Sequence, residues 1–402
     1  MPTVSDRIDL LHISPIRRVS ALLADARKQR DIISFGGGAP SLLPPQEVLD
    51  EMKRALTEDP KATCAYVGTR GLLELRRLLS DDFAGEEGTK YDPETEMVIT
   101  DGASEGVFTI FMSLLGRGDE VILTDPTYLG FREAAMLAGA RVIPLPVYVD
   151  EGYQPDIEKL KRLITRETKL FVLLSPDNPT GRVVKDEFVK ALIDLAVDHN
   201  FWILYDATYR DMIFEGTYLK ICSLPGARDR VVVVGSFSKE ASIPGLRLGY
   251  VMGPPLVADA VEKIKQYTSL APNTLSQTAM IKFLSDGIKR RYLNETVLPT
   301  YKARRDYMAK CIRKYLPEAK ISVPHGAFYF FVNLNYYLEG MKRDDSDFCN
   351  RLLERKSVVL IPGSFFGANG AGHTRVTFVS EPEERIEAGI KAVGEYVFSF
   401  TF

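Results

Sequence analysis

The segment Leu170-Phe-Val-Leu-Leu-Ser-Pro-Asp-Asn-Pro-Thr-Gly-Arg182 passes from an apolar run of strand length straight into a loop holding two prolines, Asp177, Asn178 and Gly181. In an open α/β sheet the carboxyl ends of strands are where ligands sit. Taken alone, Asn-Pro and Thr-Gly are ordinary breakers and Asn178 a helix cap. The same pattern recurs on either side. Apolar, β-branched runs stand at Met97–Ile99, Val121–Leu123, Val142–Pro144, Trp202–Tyr205, Val231–Val234 and Leu248–Met252. Between them, Ser104–Leu115, Gly130–Ala138, Asp156–Ile164 and Lys185–His199 repeat their apolar residues at helical spacing. Strands alternating with helices predict an α/β large domain, a mostly parallel seven-stranded sheet covered by helices.

This domain is placed at residues 51–290, with 1–50 plus 291–402 forming a smaller α+β domain and a ligand cleft expected between the two. Arg290–Lys314 reads as a long exposed helix interrupted at Pro299. Strands follow at Ala327–Val332, Val358–Ile361 and Thr374–Phe378, then a closing helix from Glu383. Ile321–Leu338 and Ser357–Thr374 read as buried strands joined by tight turns. Both carry prolines, glycines and asparagines, so neither is a membrane span.

The chain has 402 residues and a formal charge of −3, from 51 Lys plus Arg against 54 Asp plus Glu. No basic excess exists to neutralise a phosphate backbone, which argues against a nucleic-acid partner. The four cysteines form no CxxC and the four histidines no HExxH, so neither a disulfide framework nor a metal site is expected. Asp6, Arg7 and Asp9 stand where a secretory signal needs an apolar core, so the chain reads as cytoplasmic.

Two further strand ends carry polar clusters. Asp206-Ala-Thr-Tyr209 follows Phe201–Tyr205, where a carboxylate costs energy unless it has a cationic partner; a helix N-cap is the simpler account. After Val231–Val234 come Gly-Ser236-Phe-Ser238-Lys239 and then Arg247, a set suited to a phosphate. A solvated loop lysine is the alternative; a buried one beside other cations becomes a Schiff-base nucleophile. Thr100-Asp-Gly-Ala-Ser-Glu-Gly106 opens a helix, where small residues let backbone N–H groups approach an anion. A phosphate cradle, an amine, an isolated carboxylate and an asparagine–tyrosine pair together match what pyridoxal phosphate requires.

Ser175-Pro-Asp-Asn178-Pro-Thr-Gly181, Asp206-x-x-Tyr209 and Ser236-Phe-Ser238-Lys239 resemble, in order and spacing, the class I/II fold-type-I pyridoxal-phosphate aminotransferases. The spacings are 28 (206 − 178), 33 (239 − 206) and 8 (247 − 239, to Arg247). The resemblance is nearly full-length and points to the prokaryotic aspartate, aromatic and aminoadipate-type branch.

The resemblance implies that Lys239 is the Schiff-base lysine and proton shuttle, that Asp206 is the partner of the pyridinium nitrogen, and that Asn178 and Tyr209 bond the ring oxygen. It gives the phosphate to Gly102, Ala103, Ser104, Ser236, Ser238 and Arg247, and the ring face to Tyr128. Arg375 is implied to grip the substrate α-carboxylate, with Asn178 and the Gly36-Gly-Gly38 loop beside it. Tyr66 is implied to reach the phosphate of a neighbouring subunit, making the active unit a homodimer. The implied reaction moves an amino group from an aspartate, aromatic or aminoadipate-like donor to 2-oxoglutarate by a ping-pong mechanism. A C–S or β-elimination lyase on the same fold is the alternative. No reader of the substrate side chain is evident; Arg18 and Arg70 are candidates by position.

Overall fold

The computed structural model describes residues 3–9, 11, 31–216 and 219–400. Twelve strands follow in chain order among them: β1 (Ile33–Ser34), β2 (Met97–Thr100), β3 (Glu120–Asp125), β4 (Arg141–Pro146), β5 (Thr168–Leu174), β6 (Trp202–Asp206), β7 (Val231–Ser236), β8 (Gly249–Met252), β9 (Tyr329–Asn333), β10 (Val358–Val359), β11 (Ile361–Pro362) and β12 (His373–Thr377).

Seven of them form one sheet in the order β2-β8-β7-β6-β5-β3-β4, parallel except that β8 runs against both neighbours. Helices cover both faces of such a sheet, so its inner strands are apolar throughout instead of alternating. β2, β3, β7 and β8 are buried at every residue, and β5 and β6 at all but one each. The edge strand β4 is mostly not buried and carries Pro144 and Pro146, tolerated where no outer ladder needs their N–H. All seven apolar runs of the sequence thus lie in this one sheet.

A second sheet, β11-β12-β9, is antiparallel, and β1 pairs with β10. The register sets Arg375 opposite Phe331 and Thr377 opposite Tyr329, so these side chains share one face.

The helix around Pro299 differs from its sequence reading. Helix Ile288–Tyr292 runs through a π-helical turn, Leu293–Val297, into helix Leu298–Tyr315 without a break. Pro299 lies in the first turn of the last segment, where its missing N–H and fixed φ are tolerated. The helix is not fully exposed either, because Tyr292, Val297, Tyr301, Arg305, Met308 and Ile312 are buried. Residues 335–338, read as part of a strand-and-turn stretch, open the helix Asn335–Met341. The expected domain boundaries at 50/51 and 290/291 fall inside the helices Gln46–Glu58 and Ile288–Tyr292, not in linkers.

Candidate active site

β6 ends in Asp206 and β7 in Ser236, and these strands are parallel neighbours, so their carboxyl ends open at one place. Lys239 sits on the short helix Phe237–Glu240 that follows β7. Its Nζ donates to the Gly38 carbonyl at 2.6 Å and lies 5.9 Å from the centre of the Tyr209 ring. Burial, with the Arg375 and Arg247 cations nearby, lowers the Lys239 pKa to about 8. The amine therefore gives up its proton far more readily than a surface lysine.

Asp206 is buried, and burial raises its pKa to about 6, opposed by hydrogen bonding from Thr208. Among the described residues no cation faces it. A buried carboxylate without a positive partner is costly, so the position suits a cationic group brought by a ligand.

Asn178 follows β5. Its Oδ1 accepts from Arg375 Nη1 at 3.0 Å, while Arg375 Nη2 donates to the Gly36 carbonyl at 2.7 Å. Arg375 Nε is buried with no partner. Two guanidinium donors are thus held in position and a third is left over. Tyr209 shares a hydrogen bond of 2.9 Å with the hydroxyl of Tyr329.

Tyr329 is the residue that sequence reasoning missed. The Arg375 guanidinium lies 4.4 Å above its ring, and a Cβ on Gly38 would meet its hydroxyl at 2.1 Å. Gly38 is glycine because the two come this close. Within the run Phe328-Tyr-Phe-Phe331 an aromatic residue reads as core, and only the strand register sets Tyr329 beside Arg375.

Gly102 precedes the helix Ala103–Leu114 with φ +81°, and a Cβ there would meet Arg247 Nη2 at 2.3 Å. Gly102, Ala103 and Ser104 are therefore gathered with Arg247 at one helix N-terminus, a favourable place for an anion. Ser236 and Ser238 are buried on the adjoining turn, where Ser236 Oγ accepts from Ser238 N at 3.2 Å. Tyr128 packs edge-on against Phe131 with centroids 5.4 Å apart. Burial raises its pKa, and the Asp206 charge adds to the shift.

Two sequence candidates lie apart from this cluster. Tyr66 is 87 % exposed, and among the described residues its side chain makes no hydrogen bond or ring contact with the site. Arg70 is spent on ion pairs to Asp259 and Glu262 and on the carbonyls of Glu94 and Thr95, which leaves it no free fork for a substrate. Arg18 lies outside the described residues.

The residues fit pyridoxal phosphate: an amine of lowered basicity, a buried carboxylate lacking a cation and a close-packed anion cradle each match one part of that molecule.

Comparison with known proteins agrees. The family described as aminotransferase class I and II matches residues 30–393. An aspartate aminotransferase of Thermotoga maritima is 33% identical over 386 residues, covering 96% of this chain and 97% of the relative. An aromatic-amino-acid aminotransferase of Thermococcus litoralis is 29% identical, covering 96% of each. The solved structure of a Thermus thermophilus aspartate aminotransferase with maleate superposes with a TM-score of 0.91 at 29% identity, covering 98% of this chain and 100% of that one.

Proposed function

The chain belongs to the class I and II aminotransferases, and we propose that Lys239, Asp206, Asn178, Tyr209 and Arg375 form its active site. It is a pyridoxal-phosphate-dependent transaminase. When bound, pyridoxal phosphate supplies the electron sink for negative charge that develops at the substrate α-carbon.

Lys239 would hold the cofactor through its amine and, with that amine free, would serve as the base that moves a proton at the substrate α-carbon. Its lowered pKa supports that base role. Asp206 keeps the ring nitrogen protonated, exchanging an unfavourable buried charge for an ion pair. Tyr209, held by Tyr329, donates to the ring oxygen, and the Asn178 amide does the same while its Oδ1 accepts from Arg375.

Gly102, Ala103, Ser104, Ser236, Ser238 and Arg247 hold the phosphate, and Tyr128 covers the ring. Arg375 takes the substrate α-carboxylate beside Gly38 and Asn178. The cleft then divides a unit of residues 51–290 from one of 1–50 plus 291–402, with the helices that cross the boundaries as struts.

The exposure of Tyr66 supports a homodimer in which this side chain reaches the phosphate of the neighbouring subunit. Among the described residues no helix is long and apolar enough to cross a membrane, and we place the enzyme in the cytoplasm on its sequence. The acceptor is 2-oxoglutarate in a ping-pong cycle. The donor is aspartate, an aromatic amino acid or an aminoadipate-like acid, a range that includes the substrates named for the relatives.

One observation carries this reading: an amine of lowered basicity, an unpaired carboxylate and a guanidinium with a spare donor are gathered around Tyr209. Borohydride reduction of the holoenzyme followed by peptide mapping should place the label on Lys239. A label elsewhere sinks the assignment. A donor panel with 2-oxoglutarate ranks the substrates, and release of ammonia or pyruvate without an acceptor would point to a lyase.

A further inference from the structure

Beneath the Gly102–Ser104 turn lies an ion cluster that the reaction does not use. Lys265, on the helix Pro255–Gln266, has no exposed surface. Its Nζ donates to Glu105 Oε2 at 2.7 Å, to Ser269 Oγ at 2.6 Å and to Asp101 Oδ2 at 3.4 Å. Glu105 reaches back to accept from the Asp101 N–H at 2.7 Å and also accepts from the Ser269 hydroxyl. Asp101 and Glu105 therefore bracket the three residues proposed for the phosphate, and Arg247 Nη2 lies 3.5 Å from the Asp101 carbonyl.

Two carboxylates beside an anion site oppose anion binding. A phosphate dianion in a site of reduced dielectric is repelled by each of them, and burial weakens the screening that would relieve this. Among the described residues Lys265 is the one cation paired with both acids. Removing the cation would also leave Glu105, 12% exposed, and Asp101, 30% exposed, without their partner.

We infer that Lys265 is a positioning residue for the cofactor phosphate: by neutralising and fixing Glu105 and Asp101 it keeps the Gly102–Ser104 turn formed and receptive to a dianion. This rests on the phosphate assignment given above. Lys265 would touch no part of the cofactor and would act only through the two acids.

The test compares pyridoxal phosphate with pyridoxal, which lacks the phosphate, by equilibrium dialysis against apo-protein. Lys265→Met is expected to weaken pyridoxal phosphate binding about 10- to 100-fold and pyridoxal binding less than about threefold. Adding Glu105→Gln to Lys265→Met restores most of the lost affinity, and Lys265→Arg retains most of it. Equal losses for both ligands, or no recovery in the double variant, mean that Lys265 is scaffold alone and overturn the inference.

If Lys265→Met does not fold, Asp101→Asn alters the partly exposed partner and shifts the local charge the other way. It is expected to tighten pyridoxal phosphate about threefold at low salt without changing pyridoxal; unchanged or weaker binding overturns the inference. Arg247→Ala checks the premise separately. If that variant leaves the preference for pyridoxal phosphate over pyridoxal intact, the phosphate assignment fails, whatever Lys265 does.

Discussion

Arg375 Nη1 donates to Asn178 Oδ1 at 3.0 Å, joining a strand of the three-stranded sheet to the loop that leaves β5 of the seven-stranded one. The guanidinium is thus oriented by a side chain on one side and the Gly36 carbonyl on the other, which suits the carboxylate-binding role proposed for it. Pre-orientation lowers the ordering cost of a two-pronged bond to a carboxylate.

Arg375→Lys keeps the charge but loses the fork. We expect kcat/KM for amino acids to fall about 100-fold, with most of the loss in KM. Steady-state kinetics with 2-oxoglutarate fixed will show it. Unchanged KM values would remove Arg375 from substrate binding.

Asp206→Asn separates stability from catalysis. The folded-state pKa, about 6, lies above the ordinary aspartate value near 4. Between those values folded apo-protein keeps a proton that the unfolded chain has lost, so this group's contribution falls as pH rises through about 4 to 6. At pH 7 apo Asp206→Asn should therefore be more stable than apo wild type, by an amount of the order of 1–3 kcal/mol. Turnover should drop at least about 1,000-fold, because the ring nitrogen loses its partner. Denaturant melts and transamination assays check the two halves.

Lys239 carries a pKa lowered to about 8, so its neutral fraction rises steeply between pH 7 and 9. Covalent capture of pyridoxal phosphate by apo-protein should quicken over that range and then level off, as stopped-flow absorbance will record. Continued rise up to pH 10 would show an ordinary lysine. Lys239→Ala should still bind the cofactor but lose transamination.

Tyr66 is exposed in a single chain, so its proposed role needs a partner copy. Tyr66→Phe should raise the pyridoxal phosphate dissociation constant about 5- to 10-fold while sedimentation still shows a dimer. A monomeric wild-type holoenzyme would exclude that role.

Most of the seven-stranded sheet was legible in the sequence, because strands buried on both faces must be apolar from end to end. Lys239 and Asp206 stood out in the sequence as charged residues just past apolar runs, whereas Arg375, in the middle of β12, was singled out only by the family resemblance. Tyr329 was not, since its importance comes from a pairing register with a strand more than 40 residues later. The resemblance set Asn178 beside Arg375, but the direct bond between their side chains depends on how the loop after β5 meets β12. Pro299 misled in the opposite direction: a proline forbids one hydrogen bond in a helix interior, and a preceding π-turn removes the conflict without ending the helix.

That π-turn also acts as a phase setting. Tyr292, before it, donates its hydroxyl to the Leu43 carbonyl at 2.7 Å, and Tyr301, after it, accepts from the Ser41 N–H at 3.2 Å. Both tyrosines grip the stretch that follows Gly38, the residue whose carbonyl receives the Lys239 amine. Each residue of an α-helix turns the next by about 100°. Deleting one residue from Leu293–Val297 would swing the second tyrosine away from the first, so the clock position of a distant helix governs how the glycine loop is presented to the lysine.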